Sequence, residues 1–177
     1  LTKNINGIYK YRGRAYRISK VNSIPYHEGN RACIHRSIFG ISNLSTSGER
    51  YTAGVFLGNS AGASFVGNST VGVRYSDDIN SGKWELYAVN GGGTVTTQDL
   101  GVTVAGSTSY KIRIEYSDDG NEARAYINEE LKGIVSGSAN MPSASVGLFP
   151  RMQIIKSVGT IARGLECYSL KVGMYSF

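Results

Sequence analysis

The residues able to do chemistry are few and scattered. Glu85 and Glu115 are single acids in strand-like text, and His27 and His35 are the only histidines. A glycosidase needs two carboxyls about 5–5.5 Å apart for retention, or about 6.5–9.5 Å apart for inversion. Residues two apart in one strand share a face and lie about 6.6–6.8 Å from each other. Each glutamate reads as solvated or paired with an arginine, Arg74 or Arg113, rather than as one of a catalytic pair. No serine stands in a nucleophile-elbow context near either histidine. No catalytic residue is expected, and the chain reads as a non-enzyme.

Binding chemistry is better represented. Aromatic faces stack on pyranose rings, while Asn, Asp and Arg hydrogen-bond hydroxyls. Trp84 and Leu86 share one face of a strand, with Glu85 and Tyr87 on the other. Tyr75, Tyr116 and Tyr126 lie in neighbouring strand text, and Arg113 and Arg124 supply donors. Trp84, Tyr87, Tyr75, Tyr116 and Arg113 are therefore the candidate saccharide-binding residues. The competing reading puts the sole tryptophan in the core and leaves the tyrosines half-buried with wet hydroxyls. Asn43-Leu44-Ser45 and Asn68-Ser69-Thr70 match the glycosylation pattern, as chance allows in so Asn- and Ser-rich a chain.

Cys33 and Cys167 lie 134 residues apart. They could form one bridge, but free thiols are the favoured reading. Neither belongs to a C-x-x-C pair or a Cys/His cluster, which leaves zinc and redox chemistry without support. Arg74-Tyr75-Ser76-Asp77-Asp78 recurs 41 residues later as Glu115-Tyr116-Ser117-Asp118-Asp119. Ser and Asp side chains accept hydrogen bonds from turn amides, which is the preferred reading. The alternative is a calcium site, but calcium takes about six or more oxygens and each turn offers fewer. No metal or cofactor is expected.

The charge is unevenly placed. Residues 1–36 hold eight bases and Glu28 alone, a net +7, while residues 37–177 net −1. Lys10, Arg12, Arg14 and Arg17 are the candidate docking residues for an acidic partner, a protein surface or an anionic glycan. The alternative is a solvated basic strand face. No nucleic-acid motif accompanies these bases, so nucleic acid is not expected. No run of about 18 apolar residues is present, and no membrane partner is expected. The chain opens on Leu1, leaving room for an N-terminal portion ahead of it, and no export signal is visible nearby.

These residues must be held by strands. Gly, Ser, Asn and Thr make up 66 of the 177 residues, with 12 Tyr and 3 Pro. That composition points to β-strands joined by many turns. The apolar period is two almost throughout. It predicts strands at Tyr51–Leu57, Val71–Tyr75, Lys83–Val89, Tyr110–Tyr116, Ala123–Ile127, Leu131–Val135, Gly147–Lys156 and Ala162–Val172. Weaker strands are expected within Ile8–Ser19 and Ala32–Gly40, and a short one at Ala63–Val66. The result is all-β, one antiparallel β-sandwich or jelly roll. Residues 1–36 form its basic docking segment and first strands, and residues 37–177 the sandwich proper.

Tyr110-Lys-Ile-Arg-Ile-Glu-Tyr116 followed by Ala123-Arg-Ala-Tyr-Ile-Asn-Glu-Glu-Leu131 resembles a hairpin of concanavalin A-like (laminin-G-like) jelly rolls. Their second turn is usually Asn-Gly; here Glu129-Glu130 follows Asn128. Met141-Pro142 and the block Gly147–Val172 are similar to the closing strands of jelly-roll domains in tailed-phage virion proteins, in tail fibres and on capsid surfaces. The resemblance spans about Tyr110 to Val172 and is weaker from Tyr51 to Leu100. It implies two curved antiparallel sheets and a non-enzymatic structural role in a virion, as a capsid decoration or fibre module. Implied partners are other virion proteins, a host-surface glycan, and further copies of the chain, a trimer being favoured. A receptor-binding lectin and a glycoside hydrolase-like domain are the alternatives. The Glu-x-Asp-x-Glu strand of the glucanases resembling this fold is missing, which again points away from catalysis.

Overall fold

The computed structural model describes residues 3–5, 9–10, 31–59, 69–117, 119–143, 146–161 and 163–176. Twelve strands follow one another: β1 (Lys3–Ile5), β2 (Tyr9–Lys10), β3 (Arg31–Ile41), β4 (Tyr51–Gly58), β5 (Thr70–Tyr75), β6 (Lys83–Val89), β7 (Val95–Thr103), β8 (Thr108–Tyr116), β9 (Glu122–Ile127), β10 (Glu130–Ser136), β11 (Phe149–Lys156) and β12 (Leu165–Ser176). Two single 3-10 turns, at Asn80–Gly82 and Ser138–Asn140, are the only helical geometry among the described residues.

All strand pairings are antiparallel. One sheet runs β1-β12-β3-β8-β9-β10, with β2 also on β12; the other runs β11-β4-β5-β6-β7. Alternation along the strands dictates what lies between them. From the five-stranded sheet come Tyr51, Val55, Leu57, Val73, Trp84 and Leu86; from the seven-stranded sheet come Phe39, Tyr110, Ile112, Ile114 and Ile127, all buried in one core. Each such side chain contributes about 1.5–3 kcal/mol of burial free energy. Trp84 sits at the centre, its ring 5.5 Å from Tyr110, 5.7 Å from Phe39 and 6.0 Å from Tyr75.

The predicted strands are present, and β7 is one the alternation did not signal. Its residues are Val-Thr-Thr-Gln-Asp-Leu-Gly-Val-Thr, at the edge of the five-stranded sheet, and only Leu100 among them is buried. The expected short strand at Ala63–Val66 lies outside the described residues. The Asn128-Glu129 turn keeps two-residue hairpin geometry despite lacking glycine: both residues have positive φ, 53° and 71°, as a type I′ turn requires. The repeated Ser-Asp-Asp text does build turns. Ser117 Oγ and Asp119 Oδ1 both accept from the Asn121 amide, and Ser76 Oγ donates to Asp78.

Cys167 is a buried free thiol. It stands opposite Phe39, whereas Cys33 lies six residues away along β3, about 20 Å at strand rise. A disulfide needs Cα atoms within about 7 Å, so the two cysteines are not a pair. β3 also crosses the boundary drawn after residue 36, which puts Arg31 and Arg36 inside the seven-stranded sheet. Of the expected docking residues, Lys10 is in β2 opposite Glu166; Arg12, Arg14 and Arg17 lie outside the described residues.

Candidate functional site

The side of the five-stranded sheet facing away from the core is built from the other half of each strand. Register lines it up in rows. One row reads Gln153–Gly54–Arg74–Glu85–Asp99, and the next Arg151–Phe56–Gly72–Tyr87–Thr97. Neighbours within a row are one strand apart, about 4.7–4.9 Å, and the rows lie about 6.6 Å from each other.

Arg74 Nε donates to Glu85 Oε2 at 2.7 Å, and its guanidinium carbon lies 4.0 Å from the Tyr87 ring centre. Arg151 Nη2 donates to Thr70 Oγ1 at 3.1 Å, and its guanidinium carbon lies 5.5 Å from the Phe56 ring centre. Glycines clear the floor beneath these groups. A Cβ on Gly54 would come within 2.6 Å of the Phe56 ring, and one on Gly58 within 3.3 Å of the Arg151 guanidinium. Gly72 likewise lies directly under Phe56. The absence of side chains at these three positions lets the Phe56 ring and the Arg151 head lie close to the sheet.

Phe56, Tyr87 and Val89 form a buried cluster of their own with Ile155 beside it, separate from the core. Glu85, Arg151 and Gln153 are buried with them. The face opens towards β7, where Val95, Thr97 and Asp99 are exposed. Burial pushes the Tyr87 phenol up against the pull of the Arg74 and Arg151 charges. Burial also holds the Arg151 guanidinium below its ordinary value, with Tyr87 acting in the other direction. At the row's end, hydrogen bonds from Asn80, the Gly101 amide and Lys83 hold the Asp99 carboxyl down at about 2. Removing such charges from water costs several kcal/mol per ion before pairing compensates. The core, on the sheet's other side, does not require them, and buried charges of this kind concentrate at functional sites.

The sequence-predicted residues do not gather in one place. Trp84, Tyr75 and Tyr116 are corrected from saccharide ligands to core residues: each is at most 2% exposed and packs between the sheets. The Trp84 ring is enclosed by Phe39, Tyr75 and Tyr110 and has no face to offer a sugar. Tyr87 is on the face just described. Arg113 is on the opposite side of the molecule, in the seven-stranded sheet, 3.4 Å from the Tyr126 ring centre and ion-paired with Glu115. Residue reading missed Gln153, Arg151 and Asp99. Gln153 and Arg151 alternate with Met152 and Ile154 in β11, a signal that was available. Asp99 was hidden because β7 did not read as a strand. Once β7 is placed, Glu85 and Asp99 stand directly opposite one another, two carboxylates on adjacent strands rather than within one.

No protein-family model matches the sequence, and no curated protein matches it. Solved structures do match in fold. An endo-β-1,4-glucuronan lyase from the fungus Trichoderma reesei aligns with a TM-score of 0.58 at 13% identity, over 96% of this chain and 76% of that one. The CBM40 of the Ruminococcus gnavus IT-sialidase, bound to α2,3-sialyllactose, aligns at 0.55 and 14% identity, over 97% and 90%. A Bacillus licheniformis β-glucanase aligns at 0.53 and 9% identity, over 82% of this chain and 66% of that one. The match spans 64% of a further glycosidic hydrolase, so about a third of that protein has no counterpart here. The chain is thus an all-β, concanavalin A-like jelly roll, in the fold class expected from its sequence.

One expectation is overturned. The sequence reading excluded catalysis, yet hydrolases and polysaccharide lyases share this fold with the chain. The exclusion rested on the missing Glu-x-Asp-x-Glu strand, the lack of a nucleophile elbow and the spacing of acids within one strand; across strands, Glu85 and Asp99 occupy opposed positions, Glu85 bound to Arg74 and Asp99 to Asn80 and Lys83. None of the structures named above is a virion protein, and the particle-associated role rests on the sequence resemblance alone.

Proposed function

We propose that the protein is a polysaccharide-recognising jelly roll whose ligand is an acidic glycan, bound on the outer face of the five-stranded sheet. The observation carrying this reading is the Arg74–Tyr87 stack in the same pair of rows as Arg151 and Gln153. A uronate-bearing chain needs guanidinium groups for carboxylates and amide groups for ring hydroxyls. Arg74 and Arg151 supply the first and Gln153 the second, while the Tyr87 and Phe56 rings, fully buried, pack against the two guanidinium groups and hold them in place. The glucuronan lyase and two alginate lyases of the same fold act, by their names, on acidic polysaccharides.

Affinity electrophoresis through alginate, glucuronan and a neutral β-glucan tests recognition. Retardation by the acidic gels, lost in Arg74→Ala and Arg151→Ala, is the expected result. Equal retardation by the neutral glucan, or unchanged retardation of both variants, overturns it. Ultraviolet absorbance of the unsaturated uronate formed by elimination, alongside a reducing-end assay, separates lyase from hydrolase chemistry and from binding alone.

A further inference from the structure

The outer face of the seven-stranded sheet, on the far side of the sandwich, holds a cleft of about 240 Å³ lined by Ser37, Ile38, Lys111, Arg113, Glu129 and Ser169. Its floor is set by register. β12 shifts between Cys167 and Ser169, which brings Ser169 opposite Ile38, and Ile38 stands opposite Lys111.

The cleft holds one buried donor that the protein leaves unsatisfied, next to a lysine ammonium. Arg113 Nε is buried and has no hydrogen-bond partner. The Glu129 Oε2 oxygen is 3.8 Å from it, too far for a hydrogen bond. The rest of the guanidinium is fixed, with Nη1 on Glu115 and the Tyr126 ring 3.4 Å from its carbon. The Lys111 ammonium has no ion-pair partner among the described residues.

The geometry points to an oxyanion-binding cleft on this face, in which a sulfate, phosphate or carboxylate group accepts hydrogen bonds from Lys111 Nζ and Arg113 Nε. Ser169 also lines the cleft, whereas the buried Ser37 hydroxyl is committed to the Ile112 carbonyl. The volume is below the roughly 300 Å³ at which drug-sized pockets begin, and suits one anionic group or a single sugar residue carrying it. This site is independent of the face assigned to polysaccharide.

The test is a titration of the ¹⁵N-labelled protein with sodium sulfate, with sodium chloride at matched ionic strength as control, read by amide shifts. Saturable shifts confined to Ser37–Ile38, Lys111–Arg113 and Ser169 are expected. Loss of one charged hydrogen-bond donor to the anion predicts an affinity drop of about ten-fold or more in each of Lys111→Ala and Arg113→Gln. Arg74→Ala, on the other face, is expected to bind sulfate as the parent does. A sulfated disaccharide run in parallel separates the sources: tighter binding than sulfate places the anion on a sugar, equal binding makes it a free ion, and either supports the cleft. Shifts matched by chloride, or sulfate affinity unchanged in Lys111→Ala, overturn it. Lys111 is exposed, so that variant keeps the test decisive even if Arg113→Gln fails to fold.

Discussion

Arg74 and Glu85 face each other across β5 and β6 through a 2.7 Å charged hydrogen bond, with only 14% and 11% of their side chains exposed. Removing one partner strands the other in a poorly solvated place. Arg74→Ala is therefore expected to cost about 3 kcal/mol, as breaking buried pairs does. The joint replacement Arg74→Met with Glu85→Leu removes both charges and is expected to be less destabilising than the single change. Urea denaturation of Arg74→Ala, of the double variant and of its two single components measures this; a double variant whose loss equals the sum of Arg74→Met and Glu85→Leu alone would show that the pair is not coupled. If the double variant is folded and no longer binds acidic polysaccharide, the pair is retained for its ligand rather than for stability.

Trp84 tells core from ligand platform. Its neighbours Phe39, Tyr75 and Tyr110 are all buried, so Trp84→Ala opens a large cavity and is expected to cost about 3–5 kcal/mol. Trp84→Phe keeps most of the apolar volume and is expected to leave glycan retardation unchanged. A well-folded Trp84→Phe protein that loses glycan binding would contradict the core placement.

What the sequence revealed followed from physical signal strength. Strands buried on one face alternate apolar and polar residues, and β8, with Tyr110, Ile112, Ile114 and Tyr116 inward, could be read directly. β7 could not, because an edge strand buries little and its Thr, Gln and Asp residues carry no apolar period. With β7 unread, the neighbour of Glu85 was invisible, and the argument against an acid pair stayed confined to single strands. The candidate site depends on register across five strands, which no local pattern encodes: Gln153 and Arg74 are 79 positions apart yet share a row through Gly54. Trp84 and Tyr87 were placed on opposite faces of β6 correctly by alternation, but alternation alone does not say which face meets the other sheet.

Gly72 makes the floor of the candidate site testable. A Cβ there runs into the Phe56 ring and the Val55 carbonyl. Gly72→Ala is expected to cost about 1–3 kcal/mol by overpacking. Truncating the ring in Phe56→Ala should relieve most of that clash, so the two substitutions together should cost less than their sum. Thermal denaturation of both single variants and the pair provides the comparison, and strict additivity would separate Gly72 from Phe56.

Asp99 gives the fold an acid-side dependence of definite sign. Its carboxyl falls from 3.8 to about 2, first through Asn80, then through the Gly101 amide and Lys83. A group whose pKa is depressed by folding stabilises the folded state above its unfolded value, because there the charged form is the one that the fold favours. That contribution is complete above about pH 4 and is lost as the pH falls towards 2. Below about 2 the carboxyl is protonated in folded and unfolded chains alike, and the difference vanishes. Asp99→Asn removes the titration while keeping the side chain's size. The urea midpoint of the parent is therefore expected to fall more steeply than that of Asp99→Asn between pH 4 and pH 2. Parallel curves over that interval would mean that the hydrogen bonds from Asn80 and Gly101 do not distinguish the carboxylate from the neutral group. Because Asp99 sits at the open end of the Glu85 row, the same pair of proteins also reports on the site. Asp99→Asn removes a negative charge from the edge facing an acidic glycan, and retardation in alginate is expected to strengthen in that variant at neutral pH.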